Sequence, residues 1–164
     1  MQVDDSRLER FVRAQDRDLA GFQTAIAELA TGAKRTHWIW YVFPQITGLG
    51  ASFMSRQFAI EDANEAAAYL RHDVLGPRLL LATSTIAQQL ARGVRLRKLM
   101  SVDVDVLKLV SSLTLFRHVA ARDGGPLAAE FAGVADQVLA AAAADGYPPC
   151  AFTLRKLGIT VSKG

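Results

Sequence analysis

Among the polar residues that interrupt an apolar stretch between positions 101 and 116, four have a spacing that suits chemistry: Ser101, Asp105, Lys108 and Ser112. Asp105 and Lys108 are three residues apart, and Lys108 and Ser112 are four apart, so on a helix these neighbours can touch. Together with Ser101 they fall on one side of a helix, and we call them the polar stripe. An unpaired aspartate or lysine in a dry site is costly. Some partner must therefore meet the polar stripe.

The polar stripe is open to two interpretations. In the first, it is a strip of exposed helix or an internal salt bridge with a serine attached. In the second, it lines a polar cleft and meets a ligand. In the cleft, Lys108 would hold an anion and Asp105 would orient a hydroxyl or act as a base.

The second chemically capable region is residues 34–50, KRTHWIWYVFPQITGLG, which we call the aromatic segment. Trp38 and Trp40 are suited to stack on a base or ring. Aromatic residues at this density equally suit a core, because each must be buried in a matching shape. His37 is a candidate acid or base, or else a hydrogen-bonded core residue. The aromatic segment is therefore either the centre of a core or the wall of a pocket.

Further polar and cationic residues lie around these two regions. Gln45 and Ser52 flank a glycine-rich turn, where they bond either a ligand or their own backbone. Arg35 stands just before the two tryptophans. Arg78 sits early on a predicted helix, where a cation opposes the helix dipole, which indicates an anionic partner or a free surface arginine. The basic cluster at 92–98 lacks interleaved aromatics, which argues against nucleic acid as a partner.

The elements that position these residues are predicted to be helices, in a mainly α single domain spanning 1–164. Apolar residues recur at helical spacing, and capping, proline and glycine signals punctuate the pattern. The aromatic segment has the propensity of a strand, but its helical neighbours favour a buried helix capped by Thr36. The other predicted helices cover about 6–30 (one helix or two), 62–70, 77–93, 103–121 and 127–144, before a short terminal segment around Leu154.

Composition narrows the class of protein. The chain has 164 residues, a net charge of +3 and one cysteine, which excludes an intrachain disulfide and a thiolate zinc cluster. No apolar run approaches the roughly 20 residues that span a bilayer. The first ten residues are acidic and polar, unlike a secretory signal. These features predict a cytoplasmic protein without a membrane partner, and no motif indicates a metal or a cofactor.

Several ordered strings resemble a known family. RFVRAQ, GAKRTHWIWYVFPQITGLG and D-LKLVSSLTLF are similar to the family known as domain of unknown function 1810, over about residues 8–157. The resemblance implies a small, mainly helical domain with no settled activity. Where relatives tend to carry an acidic residue before a final TL--L, this chain has Cys150 and its neighbours. A role for that acidic position therefore does not carry over.

A more distant resemblance, in the order of motifs, is to the NADAR proteins. These are small helical proteins associated with NAD and ADP-ribose metabolism, some of which cleave N-glycosidic bonds. The matching positions are 38–43, Glu65 with Ala66, Gly76 with Arg78, and Lys108. The resemblance implies a ligand of the ribosyl phosphate type.

The first predicted function is binding, or N-glycosidic hydrolysis, of a phosphorylated ribosyl compound such as ADP-ribose. Its cleft would lie between residues 34–52 and 101–112. Arg35, Arg78 and Lys108 would hold phosphate there.

In the same cleft, Trp38 or Trp40 would stack on the base. Asp105 would stabilise the positive charge that develops on the sugar, or activate water. The alternative function, in a different class, is a non-catalytic helical interaction domain whose aromatic segment is core.

Overall fold

The computed structural model describes residues 5–160, and within that range it contains ten helices and no strand. The described residues form a single compact helical domain, as predicted. One isolated parallel bridge there joins Ile46 to Ile60. The helices are α1 Asp5–Gln15, α2 Phe22–Ala30, α3 Ile39–Val42, α4 Phe53–Gln57, α5 Ala63–Arg71, α6 Leu75–Ala91, α7 Leu96–Met100, α8 Asp103–Asp123, α9 Ala128–Ala144 and α10 Ala151–Lys156.

The long helix α8 is the centre of the domain, and it packs against α5, α7, α9 and α10. Its apolar sequence predicts burial on nearly all sides, and from Leu109 to Phe116 every residue is buried. The first turns differ, because Val104 and Leu107 are 58% and 53% exposed. One face at the start of α8 is therefore left without a covering element.

Local signals explain several helix boundaries. Asp62 caps α5 by accepting a hydrogen bond from the Glu65 backbone at 2.9 Å, as predicted. Gly32 and Gly93 take positive φ just beyond α2 and α6, where glycine adopts the left-handed conformation at no steric cost. Helix α6 begins two residues before Pro77, since proline is tolerated in a first helical turn.

The predicted helical stretch 6–30 is two helices, α1 and α2. Between them the chain turns through Ala20, which has φ +54°, and Gly21. A side chain at Gly21 would overlap the carbonyl oxygen of Arg17, so only glycine fits this tight turn. The short helices α4 and α7 were not predicted, because five residues are too few for a periodic pattern.

The aromatic segment contains the single-turn helix α3, so helix is the correct assignment. The predicted cap is wrong, because α3 starts after Trp38 rather than after Thr36. The Thr36 hydroxyl instead donates to the Glu28 carboxylate at 2.8 Å. Trp38, Tyr41 and Phe43 are fully buried and form part of the core.

Close packing at Gly76 gives a stability prediction. A Cβ there would overlap the Leu70 carbonyl oxygen and lie 3.3 Å from Leu127 Cδ1. We expect Gly76→Ala to lower the free energy of unfolding by about 1–3 kcal/mol, as overpacking does. The matched control is Gly133→Ala on α9, where no described atom outside its own helix backbone lies within 4 Å of the new Cβ. Urea unfolding should show the control gaining about 0.5–1 kcal/mol, and an equal response of both variants would contradict the packing argument.

Candidate functional site

A buried carboxylate fixes the start of the aromatic segment. Glu28 on α2 accepts hydrogen bonds from the backbone N–H groups of Arg35 and Thr36 at 2.6 and 2.9 Å. It also accepts from the Thr36 hydroxyl, and from Trp38 Nε1 at 3.0 Å. Burial alone would raise the pKa of Glu28, but these hydrogen bonds outweigh it and hold the pKa below its ordinary value. The position of both tryptophans therefore depends on this carboxylate.

The corner between α7 and α8 fixes the same segment from the other side. The Lys34 N–H donates to the Leu99 carbonyl at 2.7 Å, and the Ser101 hydroxyl donates to the Lys34 carbonyl. Ser101 has φ +75°, a left-handed conformation that non-glycine residues seldom adopt. These contacts place the Lys34 side chain beside the first turns of α8.

Asp105 lies between two lysines at that corner. Its Oδ2 is 2.9 Å from Lys34 Nζ and its Oδ1 is 3.2 Å from Lys108 Nζ. All three side chains are largely withdrawn from water: the exposed fraction is 11% for Asp105, 7% for Lys34 and 19% for Lys108. Two ammonium groups share one carboxylate, so this ion cluster carries one positive charge in excess. The partner that the polar stripe requires is Lys34.

Each ammonium of the ion cluster also faces an indole ring. Lys108 Nζ lies 3.9 Å from the ring centroid of Trp40, and Lys34 Nζ lies 5.2 Å from that of Trp38. A cation over an aromatic face is attracted to the ring, by roughly 2 kcal/mol when both are desolvated. The rings therefore help to hold the two ammonium groups in fixed positions.

A cavity of about 420 Å³ opens beside Lys108, between the aromatic segment, α4 and the start of α8. The volume is within the range of small-molecule pockets. Lys108 is the one charged residue on its lining in the described chain. The greater part of the wall is apolar, and its larger apolar members are Trp40, Ile46, Leu49, Met54, Phe58 and Leu107.

Most polar side chains on the cavity wall already have partners. Ser52 and Ser55 bond to each other and cap α4. The Ser111 hydroxyl donates to the Leu107 carbonyl at 2.9 Å. The Gln45 side chain makes no hydrogen bond to any residue between 5 and 160, although its backbone carbonyl is held by Ile60 N–H. Lys108 and Gln45 are thus two wall residues whose polar side chains remain available to a ligand.

Four predicted site residues line this cavity: Trp40, Gln45, Ser52 and Lys108. Asp105 lies directly behind Lys108. A cavity therefore lies between the two segments expected to form a cleft, with α4 as a third side. That a ligand binds there stays a prediction.

Two predicted residues lie inside the core instead. Trp38 is fully buried and bonded to Glu28, so its face is closed to a ligand. Ser112 is also fully buried, and its hydroxyl has no hydrogen-bond partner within the described range. Its neighbour Ser111 lines the cavity, because the helix turns that residue toward the opening.

Three others do not line the cavity. Arg35 and His37 are exposed, and Arg78 is half-buried. Arg78 donates to Asp16 at 2.8 Å. Its anionic partner is thus a side chain of the protein itself.

Sequence reasoning did not single out several wall residues. The Ser52-x-x-Ser55 spacing is a capping signal that could have indicated α4. Nothing in the apolar run of α8 marks Val104 and Leu107 as exposed, because this depends on which neighbours cover them.

No helix in the described chain is long and apolar enough to cross a membrane. Residues 5–160 also contain no group of three or more His, Cys, Asp or Glu side chains suited to a metal.

The fold agrees with the comparisons to known proteins. The chain belongs to the family described as protein of unknown function DUF1810, whose model matches residues 5–141. Its structure is similar to the crystal structure of the conserved hypothetical protein Rv1873 from Mycobacterium tuberculosis. The TM-score is 0.74 at 35% sequence identity, over 96% of this chain and 100% of the other. No protein with a curated description matches the chain. The DUF1810 resemblance is confirmed, and the NADAR resemblance stays a prediction.

Proposed function

We propose that the protein binds a small anionic molecule that carries a ring, and that phosphorylated ribosyl compounds are the class of ligand. The observation that supports this most directly is the ion cluster at the cavity wall. Lys34 and Lys108 share Asp105, and Lys108 is part of the cavity wall. The uncompensated positive charge favours an anion at that end, in surroundings where water screens it poorly.

The rest of the cavity suits a ring. Ile46, Leu49, Met54 and Phe58 give it an apolar wall, and Trp40 stands beside the ammonium. A base or other flat group placed there buries apolar area, at about 25 cal/mol per Å². Gln45 offers both a donor and an acceptor to a ring edge or a hydroxyl.

Binding is proposed ahead of hydrolysis, because of how Asp105 is held. Cleavage of an N-glycosidic bond needs a carboxylate near the sugar carbon that becomes positive. Both oxygens of Asp105 are engaged by lysines, and Asp105 is not part of the wall. Hydrolysis would require an anionic ligand to draw Lys108 away and free Oδ1, so release of base from a bound riboside is its test.

A non-catalytic interaction domain is the second candidate function. Phe53, between two residues of the cavity wall, is 77% exposed, and Val104 and Leu107 are exposed on α8. Exposed apolar residues grouped at an opening are typical of contact surfaces. In that case the apolar face around the opening, rather than the ion cluster, would carry binding.

Replacing Lys108 separates the two candidates. Isothermal titration with ribose 5-phosphate, nucleotides, NAD and ADP-ribose should find a ligand of the wild-type protein. We expect Lys108→Met to weaken the binding of that ligand about 10- to 100-fold, which is the contribution of one hydrogen bond to a charged group.

The matched control is Lys98→Met, which removes an exposed lysine on α7 that is not part of the cavity wall. It should bind as the wild-type protein does. If no compound binds, the ribosyl class is refuted. If Lys108→Met and Lys98→Met bind a compound alike, the anion site is refuted and the interaction domain is favoured.

A further inference from the structure

The ammonium of Lys108 has little capacity left for a ligand. A lysine has three N–H donors. One side of Lys108 Nζ faces Asp105 Oδ1 at 3.2 Å, and another faces the ring of Trp40 at 3.9 Å. The side of the ammonium that remains free suits one anionic group, bound at the Lys108 end of the cavity.

The second ammonium contributes charge but no contact. Lys34 Nζ binds Asp105 Oδ2 and donates to the Thr36 carbonyl, and its side chain is 7% exposed. It is not among the residues of the cavity wall. A ligand therefore experiences the positive charge of Lys34 without touching it.

Within the described chain, no other cation is part of the cavity wall. Arg35 is exposed and outside the wall, and Arg78 is bound to Asp16. Beyond Lys108 the wall is mainly apolar, and its polar side chains carry no charge. A second phosphate in the cavity would lose its water and gain no opposite charge, which is strongly unfavourable.

We propose that the cavity selects an aromatic ring bearing a single anionic group, and that it discriminates against compounds with two linked phosphates. This inference rests on the proposed function, in that it takes the cavity to be an anion site. Within the ribosyl class it favours a nucleoside monophosphate over ADP-ribose or NAD. Gln45 bonds the ring edge or a hydroxyl, since its side-chain amide lines the cavity and has no hydrogen-bond partner among residues 5–160.

Four probes test the selection by isothermal titration at one pH and one salt concentration. AMP carries a ring and one anionic group, adenosine lacks the anion, and ADP-ribose adds a second linked phosphate. Indole-3-acetate carries a ring and a carboxylate but no sugar. We expect AMP to bind at least tenfold more tightly than either adenosine or ADP-ribose.

The Lys108→Met variant provides the internal control. It should abolish the preference for AMP over adenosine while leaving weak adenosine binding, which also shows that the variant is folded. Lys98→Met should keep the wild-type preference.

The outcomes separate this inference from the proposed function. ADP-ribose binding as tightly as AMP, or more tightly, overturns the selection and leaves a ribosyl phosphate site in place. Indole-3-acetate binding without AMP binding supports the selection and overturns the ribosyl class. Binding of none of the four compounds overturns both.

Discussion

Replacing Glu28 by alanine is expected to lower the free energy of unfolding by about 3 kcal/mol, since it removes a buried charged acceptor. Its carboxylate accepts four hydrogen bonds from residues 35, 36 and 38. Without it, the indole N–H of fully buried Trp38 loses its acceptor. The loss should be measured by urea unfolding, with circular dichroism to confirm that the variant is helical.

Glu28→Gln is the matched control. Glutamine keeps one carbonyl oxygen for the three N–H donors, and the Thr36 hydroxyl can accept from its amide. Glu28→Gln should therefore keep more than half of the stability that Glu28→Ala loses. Equal losses in Glu28→Ala and Glu28→Gln would show that the charge, rather than the acceptor oxygen, is what matters.

The pH dependence has a definite sign. The pKa of Glu28 is lowered in the folded protein, so its contribution is present above the ordinary glutamate pKa and is lost as pH falls through the lowered value. In Glu28→Gln the side chain at position 28 has no ionisable group. The stability of this variant should therefore fall less between neutral and acid pH than that of the wild-type protein.

The second large effect is expected at Asp105. Replacing it by asparagine leaves Lys34 and Lys108 without a counter-charge in a largely buried position. Breaking a buried ion pair in this way typically costs about 3–5 kcal/mol, and we expect a loss near the lower end because asparagine still accepts a hydrogen bond. The control is Asp73→Asn, which changes an exposed aspartate in the turn before α6.

The same variant should respond to anions. Added phosphate supplies the charge that Asp105 no longer provides, so the melting temperature of Asp105→Asn should rise with phosphate more than that of the wild-type protein. Sodium chloride at equal ionic strength controls for screening. An Asp105→Asn protein that is as stable as Asp73→Asn, or indifferent to phosphate, would contradict the account of the ion cluster.

Much of the fold could be predicted because its signals are local. The cap at Asp62 and the glycines at positions 32 and 93 act within a few residues of the helix ends that they determine. The exposure of Val104 and Leu107 could not be predicted, since valine and leucine occur at both buried and exposed positions of α8.

The site was predictable to the extent that spacing determines it. Asp105 and Lys108 touch because they are three residues apart on one helix. The partner of Asp105, Lys34, lies 71 positions earlier, and no local pattern links the two. Arg78 was placed in the cleft for its charge, but its partner Asp16 is brought to it only by tertiary packing.

The two tryptophans stand only two positions apart, yet the fold places them in unlike surroundings. Trp38 is sealed in the core with its N–H on a carboxylate, while Trp40 lies at the cavity beneath the Lys108 ammonium. Indole emission responds to nearby charge and to water. The native protein thus carries an optical reporter at its candidate site and, two residues away, an internal reference that a ligand in the cavity does not reach.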